Sequence, residues 1–169
     1  MNTKEIQKAI CKMQVLKFHP IVCENISPGM SEHDVLSVNK SEYSYEFEVK
    51  ISRQDFLKDK KKVLKHTMLE NKVEDRCPNY FYYACPPGLI SVDEIPEYAG
   101  LIYVSEEEIE TIKRAPLLHR KKCDLKRVML LALRLHQERK YLGCAFLTYK
   151  NNQIREANAK YFPEMVDEV

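Results

Sequence analysis

Three charged residues raise the question of what this chain does: Asp34, Glu48 and Lys50. Glu48 and Lys50 lie two apart in SYEFEVKIS, residues 44–52, which alternates like a strand. Tyr45, Phe47, Val49 and Ile51 fall on one face, and Glu46, Glu48, Lys50 and Ser52 on the other. Asp34 heads a second short apolar run, EHDVLSV, residues 32–38. If the two runs are adjacent strands, ~4.8 Å apart, both carboxylates can reach one cation. Two hard oxygens, completed by water and a phosphate, suit magnesium or manganese. A neighbouring lysine can then orient or deprotonate a water and offset charge on phosphorus, and a metal stabilises the attacking and leaving oxygens. The same residues also read as a solvated strand edge with cross-strand charge pairs. Glu46 is a rival ligand. Glu48 is preferred because it lies deeper in the apolar run and pairs with Lys50.

The elements that must hold these residues are legible. Ile6, Ala9, Ile10 and Met13 recur at helical spacing, and Asn2 with Glu5 has the form of a reciprocal cap. FHPIVCENIS reads as extended, SPGMS as a turn, and strands are expected over roughly 33–39 and 43–51. From Ser52 the period becomes helical, with Phe56, Leu57, Val63, Leu64 and Met68 on one stripe. NYFYYAC is an aromatic strand stopped by Pro86 and Pro87, and YAGLIYV a buried one. EEIETIKRAP reads as an edge strand or a helical turn. A late helix is expected from Asp124, its N-cap, and the tail beyond it as partly helical. The order helix, three antiparallel strands, helix, strand, strand describes a mixed α/β sheet.

Composition bounds the function classes. The chain has 169 residues, 31% charged and 44% hydrophobic, with a formal net charge of +2. That balance excludes a global basic field, so any nucleic-acid contact must come from local clusters. The start, MNTKEIQKAI, lacks the apolar run of a signal peptide, and no stretch has the length of a membrane span. A cytoplasmic protein is expected. Its six cysteines are scattered without C-x-x-C, and read as reduced packing residues. A four-cysteine cluster is the alternative.

The stretch EHDVLSV…YEFEVKIS resembles the D…E-x-K core of the PD-(D/E)XK, restriction-endonuclease-like nucleases. EVKISRQDFLKDKKK, NYFYYACPPGLI and EIPEYAGLIYV follow in the order and spacing of one branch, the MmcB-like DNA-repair proteins. The resemblance covers roughly residues 30–116. It implies a nuclease-like domain over 1–120, with a helical C-terminal extension over 121–169 packed on it. It implies metal-dependent hydrolysis of DNA phosphodiesters, in repair or in phage or mobile-element processing, with RNA not excluded. Asp34 and Glu48 match the metal ligands and Lys50 the catalytic lysine, and the carbonyl of Val49 completes the set in that superfamily. His33 departs from the proline of the superfamily's name. The helix signature of the RecB-like branch is not evident.

The surrounding residues carry two readings each. Ser52 and Asp55 fit the branch pattern and also a helix cap, which is favoured. Lys60 and Lys61 border the apolar stripe, and the resemblance favours Lys61 as a phosphate contact. Lys58, Lys60, Lys61, Lys62 and Lys65 form the densest basic run, with a second in HRKKCDLKR; each alone also reads as a solvated face. Glu5 is a candidate further acid from the first helix, its capping role being favoured. Tyr80, Phe81, Tyr82 and Tyr83 are candidates for base stacking, though their alternation puts at least half in the core. The alternatives to catalysis are a non-catalytic nucleic-acid-binding module and an interaction subunit, with a protein partner supplying target choice.

Overall fold

A computed structural model describes residues 1–26, 33–124, 126 and 128–133. The chain divides into two compact units, Met1–Val128 and Met129–Val169. The sequence reading starts its C-terminal extension at residue 121; the division falls after Val128. The expected SPGMS turn lies outside the described residues, as does the chain beyond 133.

The first unit is a six-stranded mixed sheet with helices on its two faces. Helix α1 (Thr3–Leu16) begins with the expected reciprocal cap: the Asn2 side chain accepts from the Glu5 N–H at 3.0 Å, and Glu5 Oε2 accepts from the Asn2 N–H at 2.7 Å. Its buried face is Ile6, Gln7, Ile10 and Gln14, so it is rotated from the expected stripe, and Ala9 and Met13 are only half-buried. The reason is polar: Gln7 donates to Asn25 Oδ1 at 2.8 Å, and Gln14 accepts from the Ser37 hydroxyl at 3.4 Å.

Strands β1 (Ile21–Ile26), β2 (His33–Val38) and β3 (Ser44–Val49) form an antiparallel meander. Two short helices follow, α2 (Arg53–Asp59) and α3 (Val63–Glu70), which cross over to β4 (Tyr80–Cys85), parallel to β3. A 3-10 turn (Val92–Glu94) leads to β5 (Ala99–Val104), parallel to β4, and β6 (Ile109–Lys113) closes the edge antiparallel to β5. The expected element order and the mixed α/β class hold, and EEIETIKRAP forms an edge strand. The strands follow chain order across the sheet. Gly100 in β5 is required by close approach, since a Cβ there would meet the Tyr82 ring and the Ala115 backbone nitrogen.

The single helix expected after Ser52 is a correction. It breaks between Asp59 and Val63, and of its predicted stripe only Phe56 is fully buried, whereas Leu57, Val63 and Leu64 are exposed. An unbroken helix would stack Lys58, Lys61, Lys62 and Lys65 at spacings of three and four, where like charges repel. The break relieves that alignment, and of these four lysines only Lys65 is largely covered.

Two apolar clusters sandwich the sheet. One joins Ile6 and Ile10 of α1 to Val35, Phe47, Val49 and Ile102. The other joins Phe56 and Leu69 to Phe81, Tyr83, Cys85 and Leu101. Cys23, Cys77 and Cys85 are buried, as expected of packing cysteines, and burial pushes the Cys85 thiol up to about 11. No described helix is long and apolar enough to cross a membrane.

Candidate active site

Strand β3 is interior to the sheet, so its side chains are covered on both faces. Phe47 and Val49 join the cluster under α1. Glu46, Glu48 and Lys50 are only 2%, 6% and 3% exposed. That removes the solvated-edge reading of the E-x-K. A buried carboxylate or ammonium persists only if it is paired, and here each has an oppositely charged neighbour. Lys50 Nζ lies 2.8 Å from Glu48 Oε1 and 3.3 Å from Asp59 Oδ1. Lys65 Nζ lies 2.6 Å from Glu48 Oε2 and 2.8 Å from Glu46 Oε1. Lys62 Nζ lies 2.9 Å from Asp59 Oδ1 and 3.5 Å from Glu48 Oε1.

Asp34 lies at the end of the β2–β3 ladder, beside this cluster. The pairing of β1 with β2 runs through Glu24↔Val35 and resumes at Ile26↔His33. Opposite Asp34, Asn25 sits in the left-handed region at φ 49°. His33 contacts Glu46 at 2.9 Å, and Asp34 lies just beyond Val35↔Phe47, the last pair of the β2–β3 ladder. There Asp34 Oδ2 accepts from the Val49 N–H at 2.7 Å, and Oδ1 accepts from Gln7 Nε2 at 3.3 Å. The register pairs Val35 with Phe47, which brings Asp34 level with Glu48.

The electrostatics agree with one shared site. Burial pushes the Asp34 carboxyl up against the lowering pull of the Val49 N–H, and the Glu48 charge raises it further. Burial would also raise the Glu46 carboxyl, but the Lys65 charge and the His33 contact outweigh it and hold it at about 2. Lys65 is the counterpart: burial lowers it, and the charges of Glu46 and Glu48 more than reverse that. Asp59 is held low, its burial outweighed by His66, Lys62 and Lys50.

Asp34, Glu48, Val49, Lys50, Lys62 and Lys65 therefore come together. The other singled-out residues do not. Glu5 is exposed and engaged in its cap. Lys58 and Lys61 are exposed, and Lys60 is exposed with its ammonium 4.7 Å from the centre of the Phe56 ring. Ser52 caps α2 by accepting from the Asp55 N–H at 3.2 Å, but the reciprocal half of that box is replaced by Asp55 Oδ1 lying 3.9 Å from Lys50 Nζ. Phe81 and Tyr83 are core, and Tyr80 and Tyr82 are half-exposed on the α1 face.

Sequence reasoning missed Asp59, which also accepts from the Tyr83 hydroxyl at 2.9 Å. His66 adds to its support, with Nε2 at 2.7 Å from the Asp59 carbonyl oxygen. The signal was present: Asp59 falls three residues after the buried Phe56, which puts an acid on the apolar face of α2.

Asp34 and Glu48 are the carboxylates of this region that could offer oxygen ligands to a hard cation, and both Glu48 oxygens are engaged by lysines. Among the described residues no group of three or more His, Cys, Asp and Glu side chains forms a metal cage.

No protein-family model matches the chain, and no curated protein matches it. Among solved structures it is similar to the SPO1766 protein of unknown function from Silicibacter pomeroyi, at 18% identity and a TM-score of 0.48. That match spans 87% of this chain and 83% of the other.

Proposed function

We propose that this chain is a restriction-endonuclease-like, metal-dependent nuclease that hydrolyses DNA phosphodiester bonds in the cytoplasm, in DNA repair or in the processing of phage or mobile-element DNA. The observation that carries the reading is the convergence of Asp34, Glu48 and a buried Lys50 at one end of the β2–β3 ladder. The Asp34 and Glu48 carboxylates and the Val49 carbonyl would hold magnesium or manganese. The bound ion would supply Lewis-acid stabilisation of phosphate oxygens and an acidified water. Lys50 is held between Glu48 and Asp59, so its ammonium has a defined position from which to orient that water or meet charge developing on the phosphate. Lys58, in the last turn of α2, and Lys60 and Lys61, in the turn that follows, are exposed and suit sequence-independent contacts to a nucleic-acid backbone. RNA would satisfy the same chemistry, and target choice would fall to a protein partner.

A second reading is a non-catalytic nucleic-acid-binding module. One observation favours it: both Glu48 oxygens are within 2.8 Å of a lysine, so the cluster neutralises itself without a metal. Labelled single-stranded, double-stranded and flapped DNA, incubated with manganese or EDTA, separates the two. Manganese-dependent cleavage that falls at least ~100-fold in Lys50→Ala, with DNA binding little changed, is the expected result. Salt-sensitive binding without cleavage of any substrate would leave the binding module.

A further inference from the structure

Lys65 stands out among the lysines of the cluster. Its side chain is 15% exposed, and its ammonium bridges Glu48 Oε2 at 2.6 Å and Glu46 Oε1 at 2.8 Å. Lys62 is 56% exposed and lies closer to Asp59 than to Glu48. Lys50 belongs to the same strand segment as Glu48, so it cannot leave without disturbing β3. Lys65 can leave. It rides on α3, whose N-terminus has no side-chain cap and whose Val63 and Leu64 are exposed. Leu69 is the one fully buried residue of that helix. Neither a cap nor apolar burial restrains its first turn, which is held by polar contacts, His66 lying 2.7 Å from both the Tyr98 hydroxyl and the Asp59 carbonyl oxygen.

We infer that Lys65 is an internal counter-cation of the carboxylate site, which a divalent cation displaces from Glu48 and which then serves as a ligand for substrate phosphate. The inference rests on the metal-site reading of Asp34 and Glu48. One carboxylate oxygen cannot comfortably serve an ammonium and a divalent cation together, since the two cations repel each other. Glu46 supplies the tether. It stays buried with His33 as a partner, so Lys65 gives up Glu48 without leaving the edge of the site. An ammonium with one carboxylate partner instead of two is then available to a phosphate oxygen.

Calorimetric titration with manganese alone, without nucleic acid, tests this on the full chain. Lys65→Met should bind manganese about tenfold more tightly than wild type, because a competing charge is gone. Lys12→Met, on the exposed side of α1, should match wild type. Asp34→Asn should lose binding. Equal affinity for wild type and Lys65→Met, with Asp34→Asn weakened, overturns the role of Lys65 and leaves the metal site standing. Wild type binding no better than Asp34→Asn overturns the metal site and the inference with it. A measurement on the unaltered protein covers the case in which Lys65→Met fails to fold. Lysine acetylation, read by mass spectrometry, should rise severalfold at Lys65 when magnesium is added and stay constant at Lys12. Unchanged labelling of Lys65 at saturating magnesium would also overturn the inference.

Discussion

The two faces of β3 are built from alternate residues of one six-residue strand, yet they are held by different physics. Towards α1, Phe47 stacks on Tyr82 with ring centres 5.3 Å apart, and Tyr45 stacks on Tyr80 at 4.5 Å. That face gains from removing apolar area from water, which is tolerant of detail and additive over many contacts. Towards α2 and α3, Glu46 and Glu48 gain only if every charge finds its partner, because desolvation costs several kcal/mol per ion before pairing returns it. On the aromatic face a loss scales with the apolar atoms removed and is independent of other sites. On the charged face a loss depends on which partners remain, and that face alone can exchange a partner for a ligand.

The largest effect on stability should come from the apolar face. Phe47→Ala, at a side chain 1% exposed, should cost about 3–5 kcal/mol in urea unfolding. A second change on the opposite face should add to it without coupling. Glu48→Gln should cost about 3 kcal/mol, near the lower end for breaking a buried ion pair, because Lys50 keeps Asp59 and Lys65 keeps Glu46. Here additivity should fail: a cycle with Lys65→Met should give a coupling of about 1–3 kcal/mol. Equal coupling on both faces would erase the distinction between them.

A smaller effect tests the support of the charged face. Hydrogen bonding to Asp59 raises the His66 imidazolium above its ordinary 6.5. A raised histidine contributes stability that is complete below the unfolded value and is lost as pH climbs through the folded one. Stability of wild type should therefore fall from pH 6 upward through that folded value, and His66→Gln should flatten the fall. A wild-type curve parallel to that of the mutant would mean that His66 carries no such charge. The smallest effect is expected at Asp34, whose carboxyl is raised rather than lowered. Asp34→Asn should raise the melting temperature in EDTA by about 1–2 °C, opposite in sign to Glu48→Gln. Matching signs would mean that the two carboxylates share one environment after all.

Alternation alone made β3 and its charged residues legible, since a period of two assigns side chains to faces without reference to neighbours. The cap of α1 at Asn2 and Glu5, the edge strand at 109–113 and the order of the elements were local in the same sense. The tertiary structure decided the rest. Nothing local reveals that Glu46 and Glu48 are buried, because burial depends on α2 and α3 folding back over an interior strand. The burial of Lys65, while Lys58, Lys61 and Lys62 stay exposed, follows from the helix break after Asp59 and from which acids lie beneath it. The approach of Asp34 to the Val49 N–H depends on the pairing of β2 with β3. Charge type and spacing are properties of the chain, whereas pairing energy is a property of distance and dielectric, and both of those are set only when distant segments meet.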